Sequence, residues 1–295
     1  LDWLLTFPQL NSDLLLGMKR GIDGSLKLFT REFGQSIEAF FYPLSRALIF
    51  FETLLSATPW PLVILAFAVV AWFAARKWPL VLGVVVTMVA IGLVGLWEDT
   101  MKTVSLVLTA TIFSIAAGIP LGIVMNRYNR VGAVMKSVLD VMQTMPPFVY
   151  LIPVVMLLGI GRVPGFIAVV IYAIPPIIRL TDLGIRLVDK EVLEAADAFG
   201  CSPSQKLWKV QMPLAIPTVM AGINQTIMMA LGMVVIASMI GVQGLGLNVL
   251  QAIANQYFTQ GILNGFAIVG IAIVFDRISQ AYGQKLQAHR GATHD

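Results

Sequence analysis

The chain has 295 residues, 58% of them hydrophobic and 12% charged, where water-soluble domains carry about 25% charged residues. Its net charge of +4 comes from 20 Lys and Arg against 16 Asp and Glu, and the apolar residues fall in long blocks between Leu54 and Tyr282, the pattern of a multi-span helical membrane protein. Most soluble enzymes are thereby excluded, no nucleic-acid partner is needed to explain the charge, and a single cysteine, Cys201, excludes a disulfide framework and a Cys-rich metal or iron–sulfur site.

The segment 1–53 holds five basic and six acidic residues. Within it Phe40–Leu55 mixes Phe, Leu and Ile with Pro43, Arg46 and Glu52, too much charge for a span. We expect an extracytoplasmic amphipathic helix lying along the membrane surface or packed on the bundle. Asp2 and the lack of a basic start before an apolar run give no cleavable signal peptide, and the start at Leu1 rather than Met leads us to expect residues upstream.

A window of about 20 residues yields seven uncharged stretches: Leu54–Ala75, Pro79–Trp97, Thr103–Met125, Val141–Ile160, Val163–Ile178, Pro213–Ile240 and Ile262–Phe275. The fifth is short, and the last reaches spanning length only through Asp276 and Arg277, whose charges can snorkel. The expectation is an all-α membrane protein of about seven transmembrane helices: two peripheral ones in 54–99, a core in 100–282 and a polar tail, 283–295. Trp60, Trp72, Trp78 and Trp97 lie at or near the ends of the first two spans, as interface anchors do.

Basic residues alternate across the connections. Arg76 and Lys77 follow the first span, Arg127, Arg130 and Lys136 the third, Arg179, Arg186, Lys190, Lys206 and Lys209 the fifth, and Arg277, Lys285 and Arg290 the seventh. The other side has Lys102, Arg162 and, in Gly241–Gly261, no Lys or Arg. This predicts a cytoplasmic C-terminus and an external N-terminus.

Catalytic constellations are not found. His289 and His294 lie in the tail and read as solvated rather than metal-binding, no Gly-rich Lys-Ser/Thr phosphate loop occurs, and the uncharged stretches carry no ionisable site for an ion-coupled carrier. The polar connection from Arg179 to Met212 has internal order. Asp189 is placed to cap a helix with Glu191 in its first turn; Val192, Ala195, Ala196 and Phe199 share one face; and Gly200 is placed to end it. Ser202 and Pro203 read as cap and first position of a second short helix, Ser204–Val210, closed by Pro213. On composition alone a merely ordered connecting loop is the favoured reading.

The spacing goes further. Glu194-Ala195-Ala196, three residues, Gly200, nine residues, Val210, one residue and Met212-Pro213 resemble the EAA signature of ABC-importer membrane subunits. From about Thr100 to Tyr282 the chain is similar to the permeases of glycine betaine/proline betaine (quaternary ammonium) importers, in the runs Gln143–Tyr150, Gly159–Gly161, Ile174–Thr181, Ala221–Thr226 and Val234–Ile240. Val210 and Met212 stand where Ile and Leu are commoner, a conservative departure.

That resemblance implies a type I ABC importer transmembrane domain in the bacterial inner membrane, with the loop 187–213 as a cytoplasmic coupling element. It implies a separate ATPase in two copies, an extracytoplasmic substrate-binding protein and a second permease copy, most simply making a homodimer; ATP and Mg would bind the ATPase and no cofactor this chain. The coupling residues would be Glu194, Ala195, Ala196, Phe199, Gly200 and Pro213. Ala195 and Ala196 permit close approach, Phe199 offers an apolar anchor, and Glu194 can make a charge-assisted bond to a basic partner.

For the solute path, Asn224 and Gln225 are the strongest polar pair inside a long span, and either interhelical hydrogen bonding or a cavity lining fits them. Gly118 and Gly122 fit simple helix packing. Tyr150 and Tyr172 are among the few aromatics in the later spans that suit a quaternary ammonium ion, so selectivity is expected to rest mainly with the binding protein. Gly241–Gly261 is either where that protein docks or a plain re-entrant loop. Two other functions remain: a permease for an amino acid, sulfonate or other small solute, and a stand-alone channel or secondary carrier, against which the loop and the lack of intramembrane charge both speak.

Overall fold

The computed structural model describes residues 11–291, and among them there is helix and no strand. A 46-residue helix, α1 (Ser12–Ala57), opens the chain, and α2 (Trp60–Ala75), α3 (Trp78–Leu93) and α4 (Trp97–Arg127) follow. The expected span Leu54–Ala75 is corrected: its first residues belong to α1, whose end meets α2 at 110°. Pro59 causes the break, because a residue before proline is pushed out of the helical region, and Thr58 is extended at φ −75°, ψ 132°.

Pro146 repeats the effect. The expected stretch Val141–Ile160 is not one straight helix but the end of α5 (Asn129–Thr144) and α6 (Pro147–Leu158), bent by 103°. Met145 before Pro146 is extended, and Pro147 starts α6, where a missing N–H costs nothing.

The double proline Pro175-Pro176 acts differently. α7 (Arg162–Ala173) and α8 (Pro175–Arg186) together form a 25-residue apolar span, because Ile174 stays helical at φ −71°, ψ −30°. The loop expected to start at Arg179 therefore starts after Arg186. After the loop helices α9 (Lys190–Ala198) and α10 (Pro203–Lys206), a π-helical turn, Leu207–Gln211, leads into α11 (Met212–Ala237). The expectation that Pro213 closes the second short helix is corrected: the Met212 N–H reaches back five residues to the Leu207 carbonyl, and the wider turn makes room for the proline ring. The stretch after α11 holds a helix that periodicity did not predict, α12 (Leu245–Ala254), and α13 (Phe258–Gly291) runs through the expected tail as far as Gly291. His294 lies outside the described residues.

By length and composition four helical segments can cross a membrane, or six if each bent pair is one span. The expected stretch left over is the second, Pro79–Trp97: it is α3, whose 16 residues reach about 24 Å, short of a hydrocarbon core of about 30 Å.

The main apolar core gathers α2, α3, α4, α6, α7, α11 and α13, and α8 packs beside it between α4 and α11. A Cβ on Gly118 would lie 2.3 Å from Ile177 Cγ2, and one on Gly122 would lie 2.6 Å from Thr181 Cβ and 2.7 Å from the Ile178 carbonyl oxygen. Gly118 makes room for the Ile177 side chain and Gly122 for the α8 backbone, the close approach that small residues permit to helices in lipid. At the end away from the loop, α1 is tied to the bundle by Arg162, which donates to both Glu52 carboxylate oxygens at 3.1 Å and to Gln243 Oε1 at 2.6 Å.

Candidate coupling loop and solute path

The loop helix α9 is closed at both ends by its own sequence. Asp189 accepts from the Glu191 N–H at 3.0 Å. At the other end the N–H of Gly200 bonds the Asp197 carbonyl at 2.9 Å and that of Cys201 the Ala196 carbonyl at 3.0 Å, the double closure that a left-handed residue permits; Gly200 has φ +74°. Next, Ser202 and Gln205 form a reciprocal capping box, with Pro203 in the first turn. Lys206 then reaches back to Asp197 at 2.6 Å, fixing α9 against the segment that becomes α11.

The predicted face of α9 is divided by this packing. Ala196 is buried, on the side turned to α10 and the π turn, whereas Val192, Ala195 and Phe199 point away from the bundle. Phe199 is 89% exposed. Glu194 is exposed and has no ion-pair partner among the described residues. Pro213 lies on the π turn's exit, half-buried, away from this exposed face. A small apolar strip ending in an uncovered phenylalanine, beside a lone carboxylate on a rigidly capped helix, is suited to seating in another protein's cleft.

Sequence reasoning missed what supports this loop from behind. Asp182 of α8 is buried, accepts from Arg186 Nε at 2.7 Å and from Asn126 Nδ2 of α4 at 3.1 Å, and Arg179 pairs with Asp140 of α5. The i, i+4 spacing of Asp182 and Arg186 was a usable signal; the role of Asn126 was not, since it comes from another helix. Replacing Asp182 by Ala should leave the exposed Arg186 and the half-buried Asn126 without their shared acceptor, costing about 1–2 kcal/mol. Thermal unfolding in detergent checks this, and an unchanged midpoint would count against the network.

Of the path residues, Asn224 is engaged: it donates to Asp276 of α13 at 2.9 Å and accepts from the Ser279 hydroxyl. Gln225 is exposed on α11. Tyr150 is buried, donates its hydroxyl to the Met142 carbonyl, and meets the half-buried Tyr172 edge-on at 5.7 Å. The structure thus joins the two tyrosines in one pair and keeps Asn224 in a separate α11–α13 contact. The segment expected as a dock or re-entrant loop is held to α4 by the Leu245 N–H to Thr103 Oγ1 at 2.9 Å and by Asn248 Nδ2 to Asp99 at 2.7 Å.

A helical bundle of broken spans with a capped, outward-facing loop helix defines the transmembrane subunit of a type I ABC importer. The solved structure described as inward-facing conformations of the MetNI methionine ABC transporter has this fold, with TM-score 0.56 and 19% identity over 65% of this chain and 95% of that one. Residues 114–287 match the binding-protein-dependent transport system inner membrane component, and the chain belongs to that family.

Among curated proteins it is 42% identical to the glycine betaine/proline betaine transport system permease protein ProW of Escherichia coli (strain K12), over 96% of this chain and 82% of that protein. It is 50% identical to the glycine betaine/carnitine transport permease protein GbuB of Listeria monocytogenes serotype 1/2a (strain 10403S), over 78% and 82%. To the glycine betaine transport system permease protein OpuAB of Bacillus subtilis (strain 168) it is 41% identical, over 88% and 92%.

Proposed function

We propose that this chain is the permease of an ATP-driven importer of quaternary ammonium osmolytes, glycine betaine, proline betaine or choline, working by alternating access. The observation that carries the coupling half of this reading is the exposed Val192–Ala195–Phe199 strip on a doubly capped helix; the substrate class rests on relatives 41–50% identical that are named for glycine betaine. Closure of two ATPases, each loaded with ATP and Mg, moves α9, and the Asp197–Lys206 tether passes that displacement to α11. One coupling loop per chain engages one ATPase, so a second permease copy completes the assembly, most simply as a two-fold homodimer.

Glu194 bonds a basic residue of the ATPase in this reading, and Gly200 keeps α9 at its angle. Glu194→Gln and Gly200→Val are therefore expected to reduce uptake at least tenfold while the protein still inserts, Gly200→Val because a β-branched residue is strained at positive φ. Normal uptake in both variants would remove the coupling assignment. Gln225 and the Tyr172 ring are the groups we place on the solute path, with Asn224 and Tyr150 positioning α11 and α6 behind them; an aromatic face suits a quaternary ammonium ion.

The coupling loop is cytoplasmic and the N-terminus external in this reading, with the α1 segment in the plane of the outer surface. Support comes from the connections between spans: those at the opposite end hold Lys102 and Arg162, whereas those on the loop side hold Arg76, Lys77, Arg127, Arg130, Lys136, Lys190, Lys206 and Lys209, an excess that favours the cytoplasmic face. Reporter fusions at Lys77 and Gln256 should report opposite sides. For the solute, the complex with its ATPase and binding protein should hydrolyse ATP faster with glycine betaine or choline. Stimulation by an amino acid or sulfonate alone would move the assignment to another solute.

A further inference from the structure

We propose that the groove where the α2–α3 turn meets α13 binds the phosphate headgroup of an anionic glycerophospholipid. The groove encloses about 400 Å³ and is lined by three cationic side chains, Lys77, Arg277 and Lys285, together with the amides of Gln280 and Gln284; no carboxylate is among its described lining residues. Lys77 stands in the turn between α2 and α3 and Arg277 on α13, and neither has an ion-pair partner among the described residues. Lys285 is anchored, donating to the Phe73 carbonyl at 2.9 Å, and this bond joins α13 to the end of α2.

The local geometry makes this more than positive charge scattered on a membrane face. Arg76 adopts φ +50°, a conformation that L-residues disfavour, while its N–H bonds the Trp72 carbonyl at 2.8 Å; the resulting sharp turn sets Lys77 directly before the first turn of α3. Leu80, in that first turn, lines the groove, as do Ala74 and Ala75 at the carbonyl end of α2, so the two helix ends offset each other and the positive field is that of the side chains. Asp276, next to Arg277 in the chain, accepts from Asn224 and from the groove residue Gln280, and it makes no ion pair with Arg277 among the described residues. Lys77 and Arg277, like charges with no ion-pair partner among the described residues, call for an anion, and the chemistry of the lining, ammonium, guanidinium and amide donors, fits a phosphodiester.

The depth of the groove selects the lipid as its source. Trp72 and Trp78 flank the same turn with ring centroids 4.9 Å apart, both exposed, and exposed indoles on a spanning bundle sit at headgroup level. A phosphate held by Lys77 and Arg277 at that depth has its acyl chains beside α2 and α13, whose outer faces are apolar.

The test is native mass spectrometry of the full-length permease reconstituted with phosphatidylglycerol or phosphatidylcholine. Wild type should retain phosphatidylglycerol preferentially. Lys77→Gln/Arg277→Gln should lower that retention roughly 30-fold, about fivefold per surface cation, while Arg130→Gln/Lys136→Gln, two exposed cations outside the groove, should leave it unchanged. No lipid preference in wild type overturns the site whatever the variants do. Equal loss in both double variants makes the effect diffuse surface charge, and displacement of the lipid by inorganic phosphate makes the ligand a soluble anion; either outcome also overturns it. Should the Gln variant fold poorly, Lys77→Arg/Arg277→Lys, which keeps the charge, is expected to bind as wild type does, and loss of binding there would count against the assignment.

Discussion

Phe199→Asp is expected to uncouple the permease from its ATPase while lowering the permease's own stability by no more than about 1 kcal/mol. The side chain is 89% exposed, so its removal takes no packing from the bundle; Phe199 is the C-cap of α9, where a carboxylate opposes the helix dipole by about 0.3–1 kcal/mol. The helix under it is held by groups that the substitution does not touch: the Asp189 cap, the Gly200 closure and the Asp197–Lys206 pair. An aromatic residue seated in a partner's cleft commonly accounts for about 2–4 kcal/mol of binding, so burying a carboxylate in its place should weaken the ATPase complex by roughly 30- to 1000-fold. Co-purification from a strain expressing both subunits measures the loss directly, and the melting temperature of the isolated permease supplies the control. A variant that co-purifies at the wild-type ratio and supports uptake would show that the ATPase engages some other surface.

The coupling loop was legible because its signals are local. Asp189, Gly200 and the Ser202-Pro203 pair each act on backbone groups within a few residues, and each does in the structure what its residue type dictates there. The bends at Pro59 and Pro146 were written in the chain just as plainly, but a hydropathy window averages across them and reports a span where there are two helices at 110° and 103°. The Pro175-Pro176 pair shows why proline alone could not decide: Ile174 stays helical there, where Thr58 and Met145 do not. Whether the chain bends at such a proline depends on the packing of the helix it begins, and α8 is clasped on two sides.

Burial of charge was the least legible feature. Arg179, Asp182 and Arg186 look like the start of a polar loop when only their neighbours in sequence are considered. In the fold Asp182 has an arginine one turn away and an asparagine from α4, and that satisfied set lets the helix continue inward. Asp276 behaves similarly, exchanging an interfacial position for Asn224 and Gln280. The scarce charge of this chain is therefore of two kinds. Some of it meets water or a partner at the loop, and some of it joins one helix to the next.

The close passage of α4 over α8 gives a prediction in which two neighbouring glycines part company. Gly118→Ala and Gly122→Ala should each destabilise the protein by about 2–3 kcal/mol through overpacking, lowering the melting temperature by roughly 4–10 °C. At Gly118 the obstacle is the Ile177 side chain: Cγ2 lies 2.3 Å from the new methyl, and Cβ only 3.4 Å. In an Ile177→Ala background the Gly118→Ala penalty should therefore fall close to zero, a coupling of about 2 kcal/mol in a double-mutant cycle. At Gly122 the obstacle includes the Ile178 carbonyl oxygen at 2.7 Å, which no side-chain substitution removes. Thr181→Ala should then leave most of the Gly122→Ala penalty in place, even though the Thr181 hydroxyl is buried with no hydrogen-bond partner and is lost at little cost. Rescue at both positions would mean that side chains alone set the α4–α8 distance. Rescue at Gly118 only would locate the backbone contact at Gly122, one turn from the Asp182–Asn126 bond that links the same two helices beneath the coupling loop.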